Sequence, residues 1–308
     1  MIDIYHSTNR APRLVKQKQD KVGAWVHVVD PGEGELEKIS ESYNLDLDLL
    51  QDAMDIYETP RIEREDGDTY VFARYCFPEG RDIATQPILI VYSEKRLITV
   101  LRSKTDLLDK MIAGKEPVAT TQKTKTFLQI LSAINNSYER NMYKINKLTL
   151  SLRSKLSKSD IRNEYFIEFI GIEESLNEYL TALQPQAVMY RNLLNGRFLP
   201  LYEDDKDLVE DLSLSSQELT DLIKARLKTI SNIRDAYSTI MANNLNKIFK
   251  RLTSIGIFLA VPTIVASLYG MNVLLPNENS PYAFWEIVGV IGVITALIVY
   301  FFKKLKWL

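Results

Sequence analysis

The sequence predicts an α+β protein in three parts: an N-terminal α/β domain over residues 1–115, a stalk of long helices over 116–250, and two transmembrane helices within 251–308. Strand-like runs bounded by turn residues occur only in the first part. Residues 201–255 contain neither Gly nor Pro, which is typical of one very long helix. Two apolar runs near the C-terminus are each long enough to cross a bilayer.

The elements of the N-terminal domain are predicted from short patterned segments. Residues 25–29 are strand-like, and Asp30-Pro31-Gly32 ends them. Short helices are expected at 35–43 and 48–54. A β-rich run covers 69–77, and residues 88–92 and 97–101 form a hairpin across 93–96.

The stalk begins where strand signals stop. Residues 121–158 and 160–195 have helical patterns, with a cap-like break at Ser159-Asp160 and a possible kink at Pro185. Apolar residues then recur every three or four positions, which predicts one helix over 207–272, roughly 100 Å long. So long an apolar stripe cannot be buried on one small domain, and we expect it to pack against copies of itself or against the preceding helices.

The composition excludes several classes of protein. Thirty-eight basic and 40 acidic side chains give a net charge of -2, which argues against nucleic-acid binding. One cysteine, Cys76, excludes an internal disulfide and a CxxC metal site. The first residues are polar, so no secretory signal is expected. No phosphate-binding loop, nucleophile elbow or zincin motif indicates an enzyme.

The two apolar runs predict a membrane hairpin. Residues 252–272 carry no charge and span about 30 Å as a helix, and 282–302 carry only Glu286. The alternative is a buried hairpin in a soluble core. Basic residues flank both runs, whereas the loop 273–281 has none, so both termini are expected in the cytoplasm of a multi-pass protein of the cell membrane. The flanking bases are Lys247, Lys250, Arg251, Lys303, Lys304 and Lys306.

The residues Tyr269-Gly270-Met271-Asn272, at the end of the first run, resemble the signature of the CorA family of magnesium channels. Residues 25–31, 47–63 and 246–255 also resemble the family's early strand, its acidic helix followed by Pro-Arg, and the start of its pore helix. The resemblance implies a funnel-shaped homopentamer in the lipid bilayer that conducts divalent cations. Five copies of the first span would line the pore, surrounded by the second spans.

Helical spacing back from Asn272 predicts the residues of the pore wall. Small and hydroxyl side chains lie above bulky apolar ones, which indicates a polar upper pore and a hydrophobic constriction at Leu252 and Phe249 that could gate by dewetting. The predicted pore-lining residues are Thr263, Ala260, Gly256, Leu252, Phe249 and Asn246.

The tripeptide Gly270, Met271 and Asn272 is expected to form the selectivity filter. Mg²⁺ gives up its waters reluctantly, so a ring of Asn272 amide oxygens could accept hydrogen bonds from the hydrated ion. The alternative is that Asn272 only caps the helix. Gly270 is expected to supply a tight turn, and Met271 to pack, because a thioether is too soft for Mg²⁺. Glu278 would attract cations to the pore mouth, or is simply a solvated loop charge.

The resemblance also implies regulation by internal Mg²⁺. Asp52 and Asp211 match acidic residues that meet across a subunit interface in the family, where a divalent ion would bridge them and hold the channel closed. The alternative is two solvated surface carboxylates.

Two other functions remain open at this stage. A zinc or other transition-metal transporter of the same superfamily shares the pore signature, although two His and one Cys argue weakly against soft-metal sites. A membrane-anchored coiled-coil scaffold would explain the long helix but not the signature. The order of preference among Mg²⁺, Co²⁺, Ni²⁺ and Zn²⁺ is not predicted.

Overall fold

The computed structural model describes residues 1–79, 82–157, 163–272 and 281–305. Its contacts divide the chain into two compact units, Met1–Ile233 and Arg234–Leu308. The strands are β1 Ile2–Thr8, β2 Ala11–Gln17, β3 Ala24–Val29, β4 Arg61–Glu65, β5 Asp68–Glu79, β6 Asp82–Tyr92 and β7 Arg96–Leu101. The helices are α1 Glu35–Tyr43, α2 Leu47–Asp52, α3 Asp109–Ile112, α4 Lys123–Ser157, α5 Asn163–Leu194, α6 Glu203–Tyr269 and α7 Ala283–Lys304.

The first unit contains one mixed sheet in the order β2-β1-β3-β7-β6-β5-β4. β3 and β7 pair in parallel, and the remaining neighbours are antiparallel. The predicted hairpin is confirmed: β6 pairs with β7 through Tyr92 and Leu97, and the Ser93 amide donates to the Arg96 carbonyl at 3.1 Å.

Both faces of the sheet are covered, which explains why the central strands are continuously apolar. Successive residues point to opposite faces. On β6, Ile88 and Ile90 join the core beneath the long helices, whereas Leu89 and Val91 join the core beneath α1 and α2.

The long helices pack against the sheet through apolar and polar contacts. Phe127 on α4 and Tyr179 on α5 are fully buried, and Ile223 on α6 belongs to the same core. The Tyr138 hydroxyl on α4 donates to the Arg74 carbonyl at 3.0 Å, and the Arg74 amide donates to Gln186 Oε1 on α5 at 3.0 Å. These bonds satisfy buried polar groups that would otherwise be costly.

The second unit contains the C-terminal part of α6 and the helix α7. Phe258 contacts Phe302, with ring centroids 5.8 Å apart. Both helices are long and apolar enough to span a membrane, yet only 6% of the apolar window of α6 and 0% of that of α7 is buried. A buried hairpin in a soluble core was therefore the wrong alternative, because a core hairpin hides its apolar side chains. Pro262 lies within α6 without ending it.

The predicted fold class is confirmed, with differences at the edges. β1, β2, β4 and α3 were not predicted. α6 begins at Glu203 rather than at 207, and ends at Tyr269, three residues before Asn272. The break at Ser159-Asp160 lies outside the described residues, and the division at 115 and 250 stays a prediction.

Candidate ion pathway and regulatory site

The two faces of α6 in the second unit differ in exposure. Ser254 is fully buried, and its hydroxyl donates to the Lys250 carbonyl at 2.8 Å. At 100° per residue, the half-buried positions 257, 258, 261, 262 and 265 fall on the same side as Ser254. This side includes Phe258, which contacts α7.

Five of the six predicted pore-lining residues, all but Asn246, lie on the opposite face, and all six are exposed. Phe249 and Leu252 are the bulkiest, with 61% and 63% of their surface accessible. Above them Gly256 and Ala260 present little side chain. The Thr263 hydroxyl donates to the Leu259 carbonyl at 2.9 Å, so its oxygen lone pairs point away from the backbone of its own helix.

The signature tripeptide follows the end of α6. The Gly270 amide donates to the Ala266 carbonyl at 3.0 Å and the Met271 amide to the Leu268 carbonyl at 3.3 Å. Gly270 lies in a turn at the end of α6, and it is absent from the described glycines with positive φ, so its backbone conformation does not require glycine. An added Cβ would lie 3.3 Å from the Ala266 carbonyl oxygen of the preceding helical turn, which is a short contact.

Asn272 is exposed, and no hydrogen bond of its side chain to the described part of the chain is found. The Asn272 amide thus makes no capping hydrogen bond to the described part of α6, which weakens the alternative that Asn272 only caps the helix. The amide oxygen is available to a ligand or to another copy of the chain. Glu278 lies outside the described residues.

Asp52 ends α2, and its carboxylate is half-exposed. Its Oδ2 accepts from Arg61 Nη2 at 2.7 Å. Arg61 opens β4, and the same guanidinium also pairs with Glu58 through Nη1 and with Glu63 through Nε, the latter at 2.5 Å. The Arg61 guanidinium therefore pairs with three carboxylates. We call these four residues, Asp52, Glu58, Arg61 and Glu63, the Arg61 cluster.

Packing fixes the guanidinium within the Arg61 cluster. The Arg61 Cζ atom lies 4.0 Å from the centroid of the Phe72 ring, a cation–π contact. Burial alone would lower the pKa of Arg61, but the hydrogen bonds to Glu58, Glu63 and Asp52 outweigh it and raise the pKa above its ordinary value. Arg61 is thus permanently charged at any pH at which the protein is folded.

Asp211 lies on an exposed position of α6. No hydrogen bond or ion pair joins it to Asp52 in the described part of the chain. The described residues also hold no group of three or more His, Cys, Asp or Glu side chains that could bind a metal ion within one chain.

Sequence reasoning missed Glu58, Arg61 and Glu63. A signal was present in residues 58–63, where acids lie three residues before and two residues after Arg61. In a strand, positions two apart share a face, so Arg61 and Glu63 were placed to pair. Asp52 could not be added from the sequence, because its contact with Arg61 depends on how α2 packs beside β4.

Comparison with known proteins identifies the family. A family model described as "CorA-like Mg2+ transporter protein" matches residues 20–304. The chain belongs to this CorA-like family. Membership confirms that the chain is a transporter and not an enzyme, and it excludes the coiled-coil scaffold as its function.

Curated CorA relatives match along most of their length. The cobalt/magnesium transport protein CorA of Methanocaldococcus jannaschii is 28% identical over 308 residues, covering 96% of each chain. The protein of the same name from Thermotoga maritima is 19% identical over 288 residues, covering 89% of this chain and 80% of the relative.

Solved CorA-like structures have the same fold. The complete structure of the CorA magnesium transporter from Methanocaldococcus jannaschii superposes with a TM-score of 0.85 at 22% identity, covering 100% of this chain and 99% of that one. The ZntB cytoplasmic domain from Vibrio parahaemolyticus matches with a TM-score of 0.62 at 12% identity, covering 78% of this chain and 98% of that domain. At these identities the likeness concerns the fold alone and does not distinguish one transported ion from another.

Proposed function

We propose that this CorA-like chain conducts hydrated Mg²⁺ across the cell membrane. The observation that carries the proposal is the match of the family model across residues 20–304. The exposed face of α6 supports it, since that face leads from Phe249 to the signature tripeptide without a charged side chain. A neutral wall suits a helix in the membrane, where isolated charges are costly.

The chemistry of the proposed filter follows from the ion. Mg²⁺ is small and holds its waters tightly, so a protein passes it most readily with its shell in place. The free amide oxygen of Asn272 accepts hydrogen bonds from those waters and leaves the metal–water bonds intact. A carboxylate at this position would hold the ion longer and slow its release.

The proposal requires a homopentamer. In one chain the exposed pore-lining positions of α6 face no described element that could enclose an ion, and several copies are needed to close a wall around it. Phe249 and Leu252 would then form the narrow apolar part of the pore, which excludes water when the helices approach one another.

We further propose that internal Mg²⁺ closes the channel through Asp52 and Asp211 of neighbouring copies. The donor set fits the ion, because Mg²⁺ usually binds one or two carboxylates and keeps several waters. The Oδ1 atom of Asp52 has no hydrogen-bond or ion-pair partner in the described chain, and Asp211 is exposed. Both termini would lie in the cytoplasm, as the flanking bases predict.

The test is ion flux into liposomes that contain the purified chain. Uptake of Mg²⁺, Co²⁺, Ni²⁺ and Zn²⁺ is compared at equal concentrations, with empty liposomes as the background. We expect Mg²⁺ uptake that stops when the Mg²⁺ concentration on the cytoplasmic side is raised. Uptake of Zn²⁺ without Mg²⁺ would favour the transition-metal alternative, and no uptake of any ion would refute a channel.

A further inference from the structure

The carboxylate of Asp52 is already engaged before any metal binds. Its Oδ2 accepts from Arg61 Nη2 at 2.7 Å, and no hydrogen bond or ion pair to Oδ1 is found in the described chain. A divalent ion that binds Asp52 therefore meets a guanidinium charge on the opposite side of the same carboxylate.

Arg61 is held far more firmly than Asp52. Besides Asp52 it pairs with Glu58 and Glu63, and its guanidinium packs on the Phe72 ring. The Glu58 side chain is only 12% exposed, whereas 46% of the Asp52 side chain is accessible. When the pair between Arg61 and Asp52 opens, the other contacts keep Arg61 in place, and Asp52 is the partner that leaves.

The charges of the Arg61 cluster determine how strongly it attracts a cation to Asp52. Three carboxylates and one guanidinium carry a formal charge of about -2, and like charges repel at short range. The cluster attracts a divalent cation, but Arg61 weakens that attraction at Asp52 in particular. The guanidinium does not lose its proton, so this opposition is the same at every physiological pH.

We propose that Arg61 is an internal competitor of Mg²⁺ for the Asp52 carboxylate, and that it sets the Mg²⁺ concentration at which the chain is held closed. This role rests on the proposed regulation by Asp52 and Asp211. Without Arg61 the same acids would bind Mg²⁺ at lower concentration, and the channel would close too early.

The test is a titration of the whole 308-residue chain in detergent with Mg²⁺ alone, read out as protection of the first unit, Met1–Ile233, from limited proteolysis. Arg61→Gln should lower the half-protecting Mg²⁺ concentration roughly twofold to fivefold, the range expected for loss of a partly exposed ion pair. Arg64→Gln is the matched control. It removes the same charge from the same strand, but Arg64 donates to the Arg197 carbonyl and has no contact with Asp52.

A second variant guards against misfolding. Arg61→Gln leaves the poorly exposed Glu58 without its cation, so Arg61→Gln with Glu58→Gln removes both and keeps the formal charge of the cluster at about -2. Thermal unfolding verifies that it folds. The half-protecting concentration should still fall in this double variant, because Asp52 is released while the net charge is unchanged.

The outcomes separate this role from the regulation on which it rests. If the half-protecting Mg²⁺ concentration stays the same or rises in both Arg61 variants, the role of Arg61 is overturned and the regulation itself is not. An equal fall of that concentration in Arg64→Gln has the same consequence. Absence of Mg²⁺ protection in the original chain overturns the regulation and this role together. Mg²⁺ uptake in liposomes would then still stand as the test of transport.

Discussion

The ring of Phe258 on α6 lies 5.8 Å from the ring of Phe302 on α7, measured between centroids. The contact fixes which side of α6 faces its hairpin partner. Phe249, Leu252, Gly256, Ala260 and Thr263 fall on the opposite side, where they are exposed. The hairpin thus leaves one face of α6 for other copies of the chain.

The first prediction concerns assembly. Five copies of 35.4 kDa give a particle of about 177 kDa. Light scattering, with the detergent contribution subtracted, should return this mass. A particle of 35.4 kDa or twice that would remove the basis for the proposed pore, since one or two hairpins cannot enclose an ion.

The second prediction concerns Asn272. Asn272→Ala should abolish Mg²⁺ uptake in liposomes and leave the unfolding of the first unit, Met1–Ile233, unchanged, because the proposed partner of the amide is the water shell of the ion. Asn195→Ala removes an exposed amide from the loop after α5 and should transport normally. Normal uptake by Asn272→Ala would indicate that Asn272 has only a structural role.

The third prediction concerns Gly270. A Cβ at Gly270 would lie 3.3 Å from the Ala266 carbonyl oxygen and 3.6 Å from that of Ser267. These oxygens belong to the preceding turn of the same helix, which must shift by a few tenths of an ångström to admit a methyl group, so Gly270→Ala should reduce Mg²⁺ uptake severalfold by displacing the filter. Gly292→Ala on α7 is the control, because its Cβ meets no atom within 4 Å outside the backbone of its own helix. Equal uptake by the two variants would contradict the packing argument.

The fourth prediction concerns Asp52 and Asp211. The double variant Asp52→Asn with Asp211→Asn should lose Mg²⁺-dependent protection from proteolysis and continue to conduct at high internal Mg²⁺, because binding to the closed state stabilises it by mass action. Asp48→Asn with Asp221→Asn changes the same charge on the same two helices and should keep both responses. Retention of both responses in the first double variant would move the sensor to other acids.

The fifth prediction concerns pH. Burial lowers the pKa of His27 from 6.5 to about 4, although nearby Asp3 opposes the shift. The unfolded chain therefore binds an extra proton between these values, and stability is intact above the unfolded pKa and falls as the pH drops toward the folded one. Denaturant unfolding should show a loss of about 2 kcal/mol from this group between about pH 7 and about pH 5.

His27→Gln should abolish that part of the pH dependence. His6→Gln is the matched control, because it removes the other histidine of the chain and should leave the dependence unchanged. A pH dependence that survives in His27→Gln would assign it to other groups.

The sequence predicted the elements that carry strong apolar patterns and missed those that do not. β6 and β7 are buried on both faces and stand out as apolar runs. β2 is an edge strand in which the charged Arg13 and the apolar Val15 share one exposed face, so no alternation of polar and apolar residues marks it. The Arg61 cluster could not be predicted from the sequence, because α2 and β4 come together only in the folded chain. The signature tripeptide was recognised from the sequence alone, but the sequence does not show that the φ of Gly270 is not positive.

Pro262 has one more consequence. A proline carries no amide hydrogen, so the Phe258 carbonyl, four residues earlier, has no donor from the backbone of its own helix. The apolar part of α6 is therefore one backbone hydrogen bond short at the level of Phe258. A helix bends most easily where a bond of its ladder is missing, so the compliance of this span is concentrated at that level.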